Sequence, residues 1–296
     1  VEKIILSGFH GFFKVQKNYW DGQPKLEQVI YDITPNNSNR VAKLLTKECD
    51  VLGYPSSADV EFLKQKKDID IVESVSMNVS YWAFNTNVPP FDNANVRKAL
   101  SYVVDRQAII DAVYFNHAEP ASTLVPPSSW AYSEENTDVE MSLEKARALL
   151  IQEGFAEGFE MDIWAMPVQR VYNPNATKMA EILQQNLAQV GVKANKSDPH
   201  NFYRPLLSCA AAFSGSNRSA WCNDDYDKSI LNALTTPDPE IRKEYYKQAE
   251  KLIYEYSPLV PIAHALRYQV HRNYVEDVEF NPYGGIGFFQ AYKGQN

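Results

Sequence analysis

An α/β fold is predicted for this sequence on three observations. Strand-like and helix-like runs alternate between Leu26 and Val72. The pattern returns in the second half, where an alternating apolar run over residues 159–166 precedes a helix. The 296 residues, 45% hydrophobic and 22% charged, hold enough apolar material for one or two domains and exclude a disordered chain. Twenty-nine basic side chains stand against 37 acidic ones, a net charge of −8, with no block of like-signed Lys/Arg, which argues against nucleic acid or an anionic membrane surface as partner. No run reaches the roughly 18 apolar residues needed to span a bilayer, and residues 1–6 are too short and acidic to act as a signal peptide.

The elements follow in order. Trp20-Asp21-Gly22 is a turn, and residues 26–33, rich in Val, Ile and Tyr, read as a strand. Residues 36–48 read as a helix in which Val41, Leu44 and Leu45 share a face and the preceding Asn/Ser cluster supplies a cap. A strand over 49–54, a helix over 59–66 and a strand over 69–72 continue the alternation. An extended run over 78–85 ends at Pro89-Pro90, after which the segments change in kind and a domain boundary is expected. Residues 92–114 carry Val96, Leu100, Val103, Val104, Ile110 and Val113 at helical spacing, which predicts one core helix. A Pro-rich connection leads to a helix over 143–153 that Gly154 stops. Over 159–166, Ile163 and Ala165 face one side and Asp162 and Trp164 the other.

A loop over 168–175 joins that strand to a helix ending near Ala188, whose apolar face is Met179, Ile182, Leu183 and Leu187. Residues 190–194 begin a strand that is cut short at Asn195, and a turn-rich stretch resumes at Lys196. Asp238-Pro239-Glu240 opens a helix that runs to about Tyr256, with Asp as cap and Pro at the first helical position. Residues 259–264 and 268–271 read as two short extended pieces, and Gly284-Gly285-Ile286-Gly287 as a turn, since no helix follows to make a phosphate cradle.

Few residues carry reactive chemistry. Cys209 and Cys222 bracket a small, polar segment that a disulfide would staple by roughly 3 kcal/mol in an oxidising compartment; two buried free thiols are the alternative. A zinc site lacks ligands, because the five His are scattered at positions 10, 117, 200, 264 and 271. Cys49 is left over, and its neighbours Glu48 and Asp50 raise a thiol pKa, which disfavours a thiol nucleophile. No Gly-x-Ser-x-Gly, His-Glu-x-x-His or Gly-x-x-x-x-Gly-Lys motif occurs, so catalysis gains no support. Arg170 stands out, in an apolar and aromatic loop with Trp164, Met166 and Tyr172 nearby. A partly desolvated guanidinium there clamps a carboxylate through two parallel hydrogen bonds, or else forms an internal salt bridge.

The runs Asn18-Tyr19-Trp20-Asp21-Gly22-Gln23-Pro24-Lys25, Asp32-Ile33-Thr34-Pro35-Asn36, Trp164-Ala165-Met166-Pro167-Val168-Gln169-Arg170, Tyr172-Asn173-Pro174-Asn175-Ala176 and Leu207-Ser208-Cys209-Ala210-Ala211 resemble the periplasmic dipeptide-binding proteins of bacterial ABC importers. Haem- and glutathione-binding relatives look equally similar, and the match covers residues 17–292. The resemblance implies a bilobal periplasmic-binding-protein fold, incomplete at the N-terminus. Residues 1–16 are an unplaced remnant, 17–76 part of lobe I, 77–267 the ligand-binding lobe II, and 268–296 the return to lobe I. It implies a local Cys209–Cys222 disulfide and a Cys49 whose partner lies in an absent N-terminal part. It also implies a gap of roughly two dozen or more residues between Asn195 and Lys196, where the family continues through a helix and a further strand.

Functionally, the resemblance implies an exported, monomeric receptor without catalysis, metal or cofactor. It would capture a dipeptide, glutathione or haem in an aromatic cleft and deliver it to an inner-membrane ABC permease, from the periplasm and with a lipid anchor in some members. Arg170 falls on the family's carboxylate-binding arginine, with Trp164, Met166 and Tyr172 around the ligand and Asp198 a further contact candidate. Val171 stands where the dipeptide binders have Pro.

Overall fold

The computed structural model describes residues 3–7, 11–14, 20, 22–133, 135, 140–166, 169–197, 209, 212, 217, 219–281 and 284–294. Its contacts divide the chain into two units, Val1–Ser76 with Leu266–Asn296, and Met77–Ala265.

In the first unit, β1 (Lys3–Ser7) and β2 (Gly11–Lys14) flank β3 (Gln28–Asp32), parallel and antiparallel to it respectively. Helix α1 (Asn37–Leu45) starts where the Asn36 side chain accepts the Asn39 N–H at 3.0 Å, so an orphan amide of the first turn is satisfied. Strand β4 (Val51–Gly53), helix α2 (Ser57–Lys64) and strand β5 (Ile69–Val75) follow. Both strands pair antiparallel with the returning chain, from Leu266 opposite Val75 to Arg272 opposite Ile69. Val41, Leu44, Leu52, Leu63, Ile69 and Val270 close the core beneath them.

The second unit opens with β6 (Ser80–Ala83) and then departs from the single helix expected over residues 92–114. Two helices stand there, α3 (Ala94–Ser101) and α4 (Arg106–Tyr114). The break comes at Asp105, whose carboxylate accepts the Ala108 N–H at 2.9 Å and starts a new helix although the apolar spacing continues across it. Strand β7 (Ala118–Pro120) sits within the Pro-rich connection, and α5 (Leu143–Gln152) ends two residues before Gly154, at φ +88°.

Strand β8 (Glu160–Trp164) buries Met161 and Ile163 and exposes Glu160, Asp162 and Trp164, the alternation its sequence predicts. Helix α6 (Ala176–Ala188) buries Met179, Ile182, Leu183 and Leu187, and β9 (Lys193–Ser197) lies parallel to β8. The strand is therefore shifted from its expected place. Residues 190–192 form the turn that leaves α6, and β9 runs through Asn195 to Ser197. That turn presses on Gly158, where an added Cβ would lie 2.0 Å from the Gly191 carbonyl, so only glycine fits.

A helix not anticipated from the sequence, α7 (Asp224–Thr235), is capped by Asn223, and α8 (Pro239–Tyr256) begins at the Asp238 cap as expected. The two extended pieces read after it are one 14-residue strand, β10 (Leu259–Arg272). Its first part pairs with β6 and β7, with a register shift between Pro261 and Ala263 that accommodates the missing proline N–H. Two short ladders complete the chain: β11 (Val275–Glu276) pairs with β14 (Tyr292–Lys293), and β12 (Glu279–Phe280) with β13 (Ile286–Gly287) around the glycine turn. Arg97, almost wholly buried, donates to the carbonyls of Phe91, Asp92, Tyr256 and Ser257 and so ties α3 to the end of α8.

Candidate functional site

The loop between β8 and α6 is closed by its own backbone. The Arg170 N–H donates to the Asn173 carbonyl at 3.0 Å, and the Asn173 N–H returns the bond to Arg170 at 3.1 Å. Tyr114, fully buried on α4, holds this turn from below through the Tyr172 carbonyl at 2.8 Å. The Tyr172 hydroxyl reaches back to the Met166 sulfur at 3.8 Å, and Asn175 caps α6 through the Lys178 N–H at 2.9 Å. A tight turn at the carboxyl end of a strand, fixed at both ends, holds the backbone from which a side chain is presented.

That side chain is Arg170. It is exposed, with Nη1 donating to the Gln169 carbonyl at 3.2 Å, which corrects the partly desolvated guanidinium expected from its neighbours. Trp164 is also exposed, at 51%. Asp198 lies outside the described residues.

Beside the turn is a groove of about 600 Å³, bounded by residues 81–85 of and after β6 and residues 160–166 of and after β8, with Met179, Ala180 and Leu183 of α6 as its floor. Trp164, Met166 and Asn173 line it, whereas Arg170 and Tyr172 do not. The expected site residues are thus divided between a turn and a groove. Asn173, only 5% exposed, was not singled out from the sequence; its Nδ2 donates to the Met179 sulfur at 3.4 Å, and its Oδ1 has no partner. The Asn-Pro-Asn run before α6 was the one available signal.

Cys209 and Cys222 form a disulfide, so the alternative of two free thiols falls. Cys49 is buried at 1% exposure, and burial, followed by the charge of Asp32, pushes its thiol up to about 11, the opposite of an activated nucleophile.

Residues 12–241 match the family model described as bacterial extracellular solute-binding proteins, family 5 Middle. The chain belongs to family 5 of the bacterial extracellular solute-binding proteins. Within the family, the dipeptide-binding protein of Escherichia coli is 38% identical over 92% of this chain and 56% of its own length. Heme-binding protein A of Haemophilus influenzae is 33% identical over 94% of this chain and 56% of its own length. The crystal structure of a dipeptide-binding protein from Pseudoalteromonas sp. SM9913 in complex with Met-Leu superposes with a TM-score of 0.78, at 41% identity, covering 95% of this chain and 61% of that one. The periplasmic-binding-protein fold expected from the sequence is therefore that of this chain. The chain spans about half the length of the curated relatives it matches.

Proposed function

We propose that this protein is the peptide-capturing receptor of an ABC importer, acting in the periplasm without catalysis, and that Arg170 holds the carboxylate of a short peptide. The observation that carries this reading is the presentation of Arg170. Arg170 stands exposed on a turn closed by two backbone hydrogen bonds and anchored by Tyr114, and its guanidinium has the fork geometry that recognises a carboxylate. The similarity to a dipeptide-binding protein held in complex with Met-Leu supports the ligand class. Trp164, exposed beside the turn, offers a flat apolar face to a ligand side chain.

The likeness to heme-binding protein A supports haem as a second reading, with propionates in place of the peptide carboxylate. Glutathione, itself a short peptide, falls within the first reading. Delivery to a membrane permease, monomeric action and lipid anchoring complete the proposal as attributes of a receptor of this kind.

The test is calorimetric titration of the oxidised protein and of Arg170→Ala with Met-Leu, glutathione and haemin. Saturable binding of a peptide that the substitution weakens by on the order of 2 kcal/mol or more supports the carboxylate role. Binding of haemin alone, or peptide binding indifferent to the substitution, overturns it.

A further inference from the structure

We infer that His264 is a positioning residue for the turn that carries Arg170, and that on taking up a proton it lets go, so that capture of a short peptide weakens in acid. The inference rests on the proposed role of Arg170. His264 lies on β10, is 1% exposed, and has its Nδ1 at 2.9 Å from the Asn78 carbonyl. A carbonyl only accepts, so Nδ1 carries the hydrogen and Nε2 of the neutral ring keeps a lone pair. Among the described residues Nε2 has no hydrogen-bond partner. The ring is therefore held at one nitrogen, and the other is where a proton would add.

A short run of hydrogen bonds leads from this ring to the turn. Asn78 stands two residues before Ser80, the first residue of β6. The Ser80 hydroxyl lies 3.2 Å from the carbonyl of Ala263, the residue before His264, and 2.8 Å from the Tyr114 phenolic oxygen. Tyr114 in turn donates to the Tyr172 carbonyl, inside the turn that Arg170 and Asn173 close. His264 and Ala263 thus fasten the approach to β6 at adjacent points. The ladder between β6 and β10 is irregular there, its register shifting between Pro261 and Ala263, so a larger share of the fastening falls to these side chains. Loss of the Asn78 bond frees the strand start on which Tyr114 bears.

Protonation puts a hydrogen on Nε2 and a charge on a buried ring. Burial disfavours that charge more than the Asn78 and Thr123 carbonyls favour it, and so holds the imidazole below its ordinary range. The titratable groups on neighbouring elements are Glu119, opposite His264 in the β7 ladder, His117 just before it, Arg106 and Tyr114 on α4, and Glu250 on α8. Among the described residues neither ring nitrogen is bonded to a carboxylate, so the charge is relieved by moving the ring toward water rather than by pairing. The sign follows. The neutral ring's contribution is present in full above the ordinary histidine value of about 6.5 and is lost as pH falls through the lower value of the folded protein.

The experiment compares the wild type with His264→Asn and His264→Leu between about pH 4.5 and 7. Asparagine keeps a donor near the place of Nδ1 and does not titrate; leucine removes the donor. Two quantities are read: exchange of the Arg170 and Asn173 amides, corrected for the intrinsic pH dependence of exchange, and affinity for Met-Leu by calorimetry. In the wild type, acidification is expected to reduce both the protection of these amides and the affinity by about threefold or more. His264→Asn is expected to match the wild type at pH 7 and to lose most of the change in acid, whereas His264→Leu is weakened at every pH. If the leucine variant does not fold, the asparagine variant and the nuclear magnetic resonance titration of the His264 ring carry the test. A wild type flat in both quantities, a change that persists unaltered in His264→Asn, or a ring that titrates without effect on the turn amides would each overturn the inference. If Met-Leu binds at no pH, the role of Arg170 falls, and the turn amides still decide that of His264.

Discussion

The phenolic oxygen of Tyr114 lies 2.8 Å from the Tyr172 carbonyl and 2.8 Å from the Ser80 hydroxyl, so a buried residue of α4 fastens the turn that carries Arg170 to the start of β6. The single phenolic hydrogen donates to the carbonyl, and the Ser80 hydroxyl donates either to Tyr114 or to the Ala263 carbonyl at 3.2 Å. Tyr114→Phe keeps the packing and deletes the link. It should cost about 1–2 kcal/mol by chemical denaturation, and it should weaken peptide binding while leaving far-ultraviolet circular dichroism unchanged.

Glu250 on α8 predicts a pH dependence. Burial pushes its carboxyl up to about 7, against the opposing pull of the Leu124 and Val125 backbone amides. The folded state therefore holds a proton that the unfolded state has released, between the ordinary carboxyl range and neutrality. This contribution is present in full below about pH 4.5 and is lost as pH rises through 7, by up to about 3 kcal/mol. Glu250→Gln should remove that dependence. Denaturation midpoints of the two proteins, compared from pH 5 to 8, should diverge in favour of the variant as pH rises.

The three cysteines should behave as two populations. In the native oxidised protein a thiol reagent should label none of them within minutes, because Cys49 is buried and its thiol is pushed up to about 11. Denaturation without reductant should release one thiol per chain. Reduction of the Cys209–Cys222 bridge, which spans 13 residues, should lower stability by roughly 3 kcal/mol in the chain-entropy account.

Asp105 is where two helices replace one. Asp105→Ala removes the acceptor of the Ala108 N–H and should cost about 1 kcal/mol, seen as a lowered thermal midpoint with ligand affinity intact.

These residues also show what could be read in advance. Asp238-Pro239-Glu240 marked the start of α8 because a cap, a preset φ and a first-turn acid all act within three residues. Asp105 was hidden because the apolar period runs on through Val103 and Val104, and a period cannot report a local hydrogen bond that interrupts it. Strand β10 read as two pieces that left out residues 265–267, and among these Arg267 is an unusual residue for a buried strand. Tertiary contacts accommodate it, with Tyr54 and Phe280 rings 4.9 and 5.4 Å from the guanidinium and the Asn281 and Gly285 carbonyls accepting from it. The site was legible as a list and not as an arrangement. That Arg170 is exposed while Asn173 is buried follows from the turn the two residues close together, and composition carries no trace of it.

The most direct test of the central claim is a double-mutant cycle between Arg170 and the ligand carboxylate. Met-Leu and its C-terminal amide are titrated into the wild type and into Arg170→Ala. If the guanidinium holds that carboxylate, amidation should weaken binding to the wild type by on the order of 30-fold and leave binding to the variant almost unchanged. Equal losses in both proteins would place the carboxylate elsewhere and contradict the account.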